Sequence, residues 1–190
     1  MVEAALDPKG FLGQIDWQTR EAFLELAKRF RAMTGMPLRV RSGRRTCAEQ
    51  NDLYGIGRTY NLSSKPVTYA RGCQSWHVMG RAIDADPADP STGKPTSATQ
   101  SCENATIAGQ LWEQMGGVWG GRFGGFGGCG DQGHFEWHPG IKLSDVCPDP
   151  NRCDETTMAI ATMRPASPLL WTVVGAAAVL GIGWFFARRP

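Results

Sequence analysis

Apolar positions along the chain change their spacing several times, and each change marks an element. After Asp16, the residues Phe23, Leu26, Ala27, Phe30 and Met33 recur at three- and four-residue intervals, with Glu25 and Arg29 on the opposite side. That spacing predicts an amphipathic helix capped by Asp16 and ending near Gly35. Leu38 to Val40 reads as a short strand leading into Ser42-Gly43. Cys47 to Ile56 reads as a helix, with Leu53, Tyr54 and Ile56 as core candidates. Val67 to Ala70 and Ala82 to Ala85 read as short strands. Residues 87 to 104 are polar and turn-forming, which predicts a surface loop. Ile107, Leu111 and Met115 then predict a helix over Ala105 to Met115. The stretch GGVWGGRFGGFGGCG is rich in glycine, but Trp119, Phe123 and Phe126 argue for a packed irregular loop. His134 to Trp137 reads as a last strand.

The end of the chain follows another pattern. Pro168 to Ala187 carries no charge, and the segment is long enough to cross a bilayer as a helix. Trp171 and Trp184 lie near its two ends, where an interfacial aromatic belt sits. A buried core helix is the alternative, but such helices seldom lack any charge over this span. The expected organisation is a folded body over residues 1–145, a linker rich in Pro, Asp and Thr over 146–167, and a transmembrane helix over 168–187. The opening MVEAALDPKG has neither the basic nor the apolar region of a signal peptide.

Composition adds three constraints. With 24 glycines and 12 prolines, turns and loops are plentiful. The formal net charge is +2, and Arg164, Arg188 and Arg189 fall in a tail without acids; removing these three leaves −1 for residues 1–163. A near-neutral body has no electrostatic footprint for nucleic acid. Six cysteines are present without a C-x-x-C, which argues against a cysteine zinc cage and for disulfides. Cys147 and Cys153 are the most plausible local pair, across a short Pro-containing loop.

Candidate chemistry centres on SWHVMGRAID, residues 75–84. His77 and Asp84 are seven apart, an odd separation that would put them on opposite faces of a regular strand. A tight reversal at Met79-Gly80-Arg81 would instead aim both at one point. A catalytic zinc ion takes three protein ligands, with imidazoles and carboxylates as normal donors. The chain has only two more histidines, His134 and His138. His134 would complete the set, with Asp131 three residues earlier as a general base. His138 with Glu136 is an alternative pairing. Arg45, in competition with Arg44, is a candidate to stabilise negative charge on a reacting oxygen.

These residues resemble a known family. Ser75, His77, Gly80, Ala82 and Asp84 match S-x-H-x-x-G-x-A-x-D, the zinc signature of VanY/VanX-type D-alanyl-D-alanine peptidases and of the related phage L-alanyl-D-glutamate peptidases. Ser42-Gly43-Arg44-Arg45-Thr46, followed by Glu49-Gln50 and Leu53-Tyr54, is similar to the family's S-G-x-R-[ST] segment and Q-x-x-L-Y helix. Asp131 and His134 meet the acid-x-x-His pattern. The run Trp119-Gly120-Gly121-x-Phe123 and the pair Phe135-Glu136 resemble the endolysin branch, which uses aspartate where the carboxypeptidases usually use glutamate. The resemblance spans roughly residues 15–140.

The resemblance implies zinc on His77, Asp84 and His134, Asp131 as general base and acid, Arg45 as the oxyanion-stabilising cation, and Ser75 contacting substrate. It leaves Glu136 and His138 in supporting roles. The implied fold is α+β, a small antiparallel sheet with packed helices and an open zinc cleft. The implied activity is cleavage of the peptidoglycan stem peptide, by an L-alanyl-D-glutamate endopeptidase or a D-alanyl-D-alanine carboxypeptidase. A zinc-binding module without activity is a further alternative. With the apolar tail, the expected location is a single-pass membrane protein whose catalytic body faces the cell wall or travels in a virion.

Overall fold

The computed structural model of the chain describes residues 3–124, 129–149 and 152–153. One mixed sheet organises them, in the order β1-β2-β3-β5-β4. Its strands are β1 (Ala5–Leu6), β2 (Leu38–Ser42), β3 (Ala82–Pro87), β4 (Val118–Trp119) and β5 (His134–Glu136). The helices are α1 (Trp17–Thr34), α2 (Cys47–Gly55), α3 (Cys102–Gln114) and the short α4 (Leu143–Val146). The α+β class agrees with expectation. The sheet is not wholly antiparallel, because β1 pairs parallel with β2, Ala5 opposite Leu38.

Each main helix forms where its caps and apolar stripe coincide. Asp16 accepts from Thr19 N at 3.1 Å and closes the start of α1, and Gly35 at φ 75° ends it. Phe23, Leu26, Ala27 and Phe30 of α1 are fully buried, whereas Met33 is exposed, so the packed stripe stops one turn earlier than its spacing predicts. Thr46 and Glu49 form a reciprocal capping box at the start of α2. Ser101 caps α3, which begins three residues before the expected Ala105.

Strand alternation divides the sheet into a core face and a site face. Val40, Ile83, Ala85 and Phe135 join Phe23, Phe30, Leu111 and Trp112 of α1 and α3 in one apolar cluster. Trp112 is held from two sides, its indole N–H donating to Glu136 O at 2.9 Å and to Val118 O at 3.1 Å. Gly109 leaves room for the ring of Trp119, which any Cβ there would strike. On the other face β3 carries Asp84 and Asp86, both buried.

Three expectations are corrected. Val67 to Ala70 is not a strand, because a buried side chain replaces the ladder: Gln50 Nε2 donates to Thr68 Oγ1 at 3.2 Å and to Ala70 O at 2.9 Å. The core contribution of α2 comes from Cys47, Gln50 and Gly55; Leu53, Tyr54 and Ile56 are only half-buried. Cys147 and Cys153 do not pair with each other. Cys47 bonds Cys153 and Cys73 bonds Cys147, with Cα–Cα separations of 6.0 and 5.8 Å, and Cys102 bonds Cys129. Cys147 instead packs in a second small cluster with Cys47, Cys73, Val78 and Met79, directly beneath the SWHVMG turn. These bonds reach into the segment read as linker. No described helix is long and apolar enough to cross a membrane, and residues 168–187 lie outside the described residues.

Candidate functional site

The reversal expected at Gly80 is present and sets the position of His77. Residues 76–80 form consecutive turns, with Val78 N donating to Ser75 O at 3.0 Å, Gly80 N to His77 O at 3.0 Å and Arg81 N to Trp76 O at 2.8 Å. Gly80 adopts φ 66°, a left-handed conformation that a side chain would strain. The turn is tied to α1, since Asp16 N donates to Gly80 O at 3.0 Å and Arg81 lies 3.6 Å from the buried Asp16 carboxylate. His77 Nδ1 sits 2.7 Å from Gly43 O. A carbonyl only accepts, so Nδ1 carries a proton and Nε2 is the nitrogen that faces inward.

Asp84 and His134 arrive from neighbouring strands. They are direct partners in the β3–β5 ladder, and Ser42 opposes Asp84 across an irregularity in β2. Tight packing fixes the turn before His134: Asp131 N donates to Gly120 O at 2.9 Å and His134 N to Asp131 O at 3.0 Å. A Cβ on Gly120 would lie 2.6 Å from Asp131 O and 2.8 Å from His134 Cβ, so only glycine permits this approach.

Three donor atoms therefore meet. His77 Nε2 lies 3.2 Å from Asp84 Oδ1 and 3.2 Å from His134 Nδ1, and His134 Nδ1 lies 3.0 Å from Asp84 Oδ1. Tetrahedral bonds of about 2.0–2.1 Å place neighbouring ligands about 3.3 Å apart, so this triangle has nearly the size of one face of a zinc coordination tetrahedron. All three residues are buried, and among the described residues they are the one such group able to hold a metal ion.

Charge in the site is strongly coupled. Burial alone would raise Asp84, but the charge of His77 and the hydrogen bond from His134 outweigh it and hold its carboxyl well below the usual range. Burial works against protonation of His134, yet its bonds to Asp84 and Glu136 raise its pKa to about 9. Glu136 is likewise opposed by burial but is lowered to about 2 by His134 and His138. Asp131 behaves differently. Burial raises its carboxyl above the usual value; His134 pulls it down, and the charge of Asp84 pushes it up again. Among the described residues nothing hydrogen-bonds its carboxylate, which leaves it available to exchange a proton.

The remaining expected residues line the same cleft of about 650 Å³, together with Asp131, His134, Glu136, Val67, Tyr69 and Leu53. Arg45 lines it and Arg44 does not. Arg45 is partly committed: Nη2 lies 2.7 Å from Asp84 Oδ2 and 3.0 Å from Ser42 Oγ, and Nη1 lies 3.1 Å from Gln50 Oε1. Ser75 is buried at the cleft wall and its Oγ accepts from His77 N at 3.3 Å. His138 does not enter the donor triangle; it stacks on Trp76 at 4.0 Å. Sequence reasoning missed Gln50 as the support of Arg45, Phe123 as a wall beside His134 and Trp76 as the seat of His138. Gln50 and Phe123 lie inside matched motifs and so left a sequence signal; Trp76 did not.

A family model described as D-alanyl-D-alanine carboxypeptidase matches residues 68–137. The L-Ala D-Glu endopeptidase ChiX of Serratia marcescens is similar in structure, with a TM-score of 0.48 and 18% identity over 72% of this chain and 91% of that one. No curated protein matches the sequence. The matched segment contains Ser75, His77, Asp84, Asp131 and His134, residues on which the sequence resemblance also rests.

Proposed function

We propose that the chain is a zinc-dependent peptidase of the peptidoglycan stem peptide, cutting between L-Ala and D-Glu. The observation that carries this reading is the buried His77–Asp84–His134 triangle on the wall of an open cleft beside an uncommitted Asp131. The donor set suits zinc, which when bound polarises a peptide carbonyl and acidifies water. Asp131 takes the proton of the attacking water and returns it to the leaving amine. Its raised proton affinity suits both transfers, although a nearby cation draws that affinity down again. Arg45 offers N–H groups at the cleft wall to the oxygen that gains charge, while holding Asp84 in place. Ser75 fixes the backbone of His77 and faces substrate.

The aspartate at position 131 and the Trp119–Phe123 run favour the endopeptidase. The family description favours a D-alanyl-D-alanine carboxypeptidase as the second reading. Residues 1–145 form the catalytic body in this proposal, 146–167 a linker whose first part is bonded back to the body through Cys147 and Cys153, and 168–187 a transmembrane helix that places the cleft at the cell wall or in a virion membrane. Digestion of purified peptidoglycan with and without chelator, followed by mass spectrometry of new termini, tests the activity. New N-terminal D-Glu supports the endopeptidase, and free D-Ala supports the carboxypeptidase. Absence of both with zinc-loaded protein leaves only a binding module.

A further inference from the structure

The Asp84 side of His134 belongs to the donor triangle; its other nitrogen has a partner that the proposed reaction does not use. His134 Nε2 lies 3.0 Å from Glu136 Oε1, and the second oxygen of Glu136 lies 3.0 Å from His138 Nε2. His138 stacks on Trp76 with ring centroids 4.0 Å apart and planes 7° from parallel. Trp76 directly precedes His77. A chain of side chains therefore runs from one donor to the backbone of another: His134, Glu136, His138, Trp76, His77. Every link is buried or half-buried.

We propose that Glu136, steadied by His138 on Trp76, is a positioning residue that sets the tautomer and ring orientation of His134 for metal binding. A carboxylate can only accept, so Glu136 retains the proton on Nε2 and leaves the lone pair of Nδ1 directed into the triangle. Without that acceptor either tautomer is open to His134, and the ring is free to turn about its Cβ–Cγ bond. Outer carboxylates of this kind raise the basicity of the ligating imidazole, and removing them weakens metal binding about 10- to 100-fold. Position supports the assignment: Glu136 is two residues beyond His134 on β5 and thus shares its face. Both Glu136 oxygens are occupied by imidazoles, which argues against a role as the proton-exchanging base and leaves that role to Asp131.

The inference rests on the metal-site reading above, and one titration separates the two. Zinc affinity of the full chain is measured against a chromophoric chelator for wild type and for His77→Ala, Glu136→Ala, Glu136→Gln and His138→Ala. Long-range nitrogen–proton NMR reports the His134 tautomer in the loaded protein. Glu136→Ala is expected to lose 10- to 100-fold in affinity. Glu136→Gln, which keeps an acceptor oxygen, should recover part of that loss, and His138→Ala should lose less than Glu136→Ala. Wild-type His134 should carry its proton on Nε2. If wild type fails to bind, or His77→Ala binds equally well, the metal site itself is refuted. If wild type binds, His77→Ala does not, and both Glu136 variants match wild type within twofold, only the positioning role is overturned. Should Glu136→Ala not fold, Glu136→Gln decides: undiminished affinity overturns the role and a several-fold loss supports it.

Discussion

Removing metal should make the protein's stability depend on pH in a defined window. In the metal-free state His134 sits between Asp84 and Glu136 and its pKa is raised from 6.5 to about 9. A group with a raised folded pKa contributes stability fully below its unfolded pKa, and that contribution is lost as pH climbs through the folded value. The loss should therefore run from about pH 6.5 to beyond pH 9. Its size follows from the shift, about 3 kcal/mol for the whole interaction. Glu136, lowered from 4.5 to about 2, reports the same contact from the other side and is not added; its part fails only as pH falls below about 4.5. For a domain of this size the expected fall in Tm is roughly 6–12 °C between pH 6 and pH 9.5. Thermal unfolding in chelator, repeated with zinc and with Glu136→Gln, measures it. Zinc occupies Nδ1 in place of the proton and should flatten the high-pH limb. A flat Tm in chelator, or an equal fall with zinc bound, would refute the reasoning.

The disulfides give a second expectation. Cys47–Cys153 and Cys73–Cys147 close sequence separations of 106 and 74, worth about 4–5 kcal/mol each in the loop-entropy picture and less than additive because the loops overlap. Urea unfolding with reductant should show a much lower midpoint, and an unchanged midpoint would remove them as stabilisers. Asp131→Ala should keep zinc and lose about 10²- to 10⁴-fold in kcat on peptidoglycan; near-normal turnover would free Asp131 from its role. Gly80→Ala should destabilise by about 1–2 kcal/mol because of the left-handed backbone, seen as a lower urea midpoint together with weaker zinc binding. Gln50→Ala removes the partner of Arg45, Thr68 and Ala70 and should cost about 1–3 kcal/mol, along with activity at unchanged zinc affinity.

Much of the frame is written in local signals. Asp16 and Gly35 bound α1, and Gly80 announces the turn that carries His77 inward. The scarcity of histidines narrows the partner of Asp84 to His134 or His138, and only the motif resemblance chooses His134, because a cross-strand pair fifty residues apart leaves no local trace. Val67 to Ala70 misled for a related reason. Its residues suit a strand, yet Ala70 O is bonded by a glutamine on a distant helix and Ala70 N by the Thr68 hydroxyl. Cysteine partners were misread because nearness in sequence says nothing about which walls a tail crosses. The parallel edge strand β1 lies outside the resemblance, and its two residues are too few to show a period.

The two disulfides at the end of the described chain carry a practical consequence. Cys47 begins the helix just after Arg45, and Cys73 lies two residues before Ser75. Their mates sit only six residues apart, so one short strap fastens the two segments that lead from Arg45 and to Ser75. Trimming the protein at residue 145 would keep every proposed catalytic side chain and still strand two thiols beside them, inviting mispairing. A cut anywhere beyond residue 153 spares the strap.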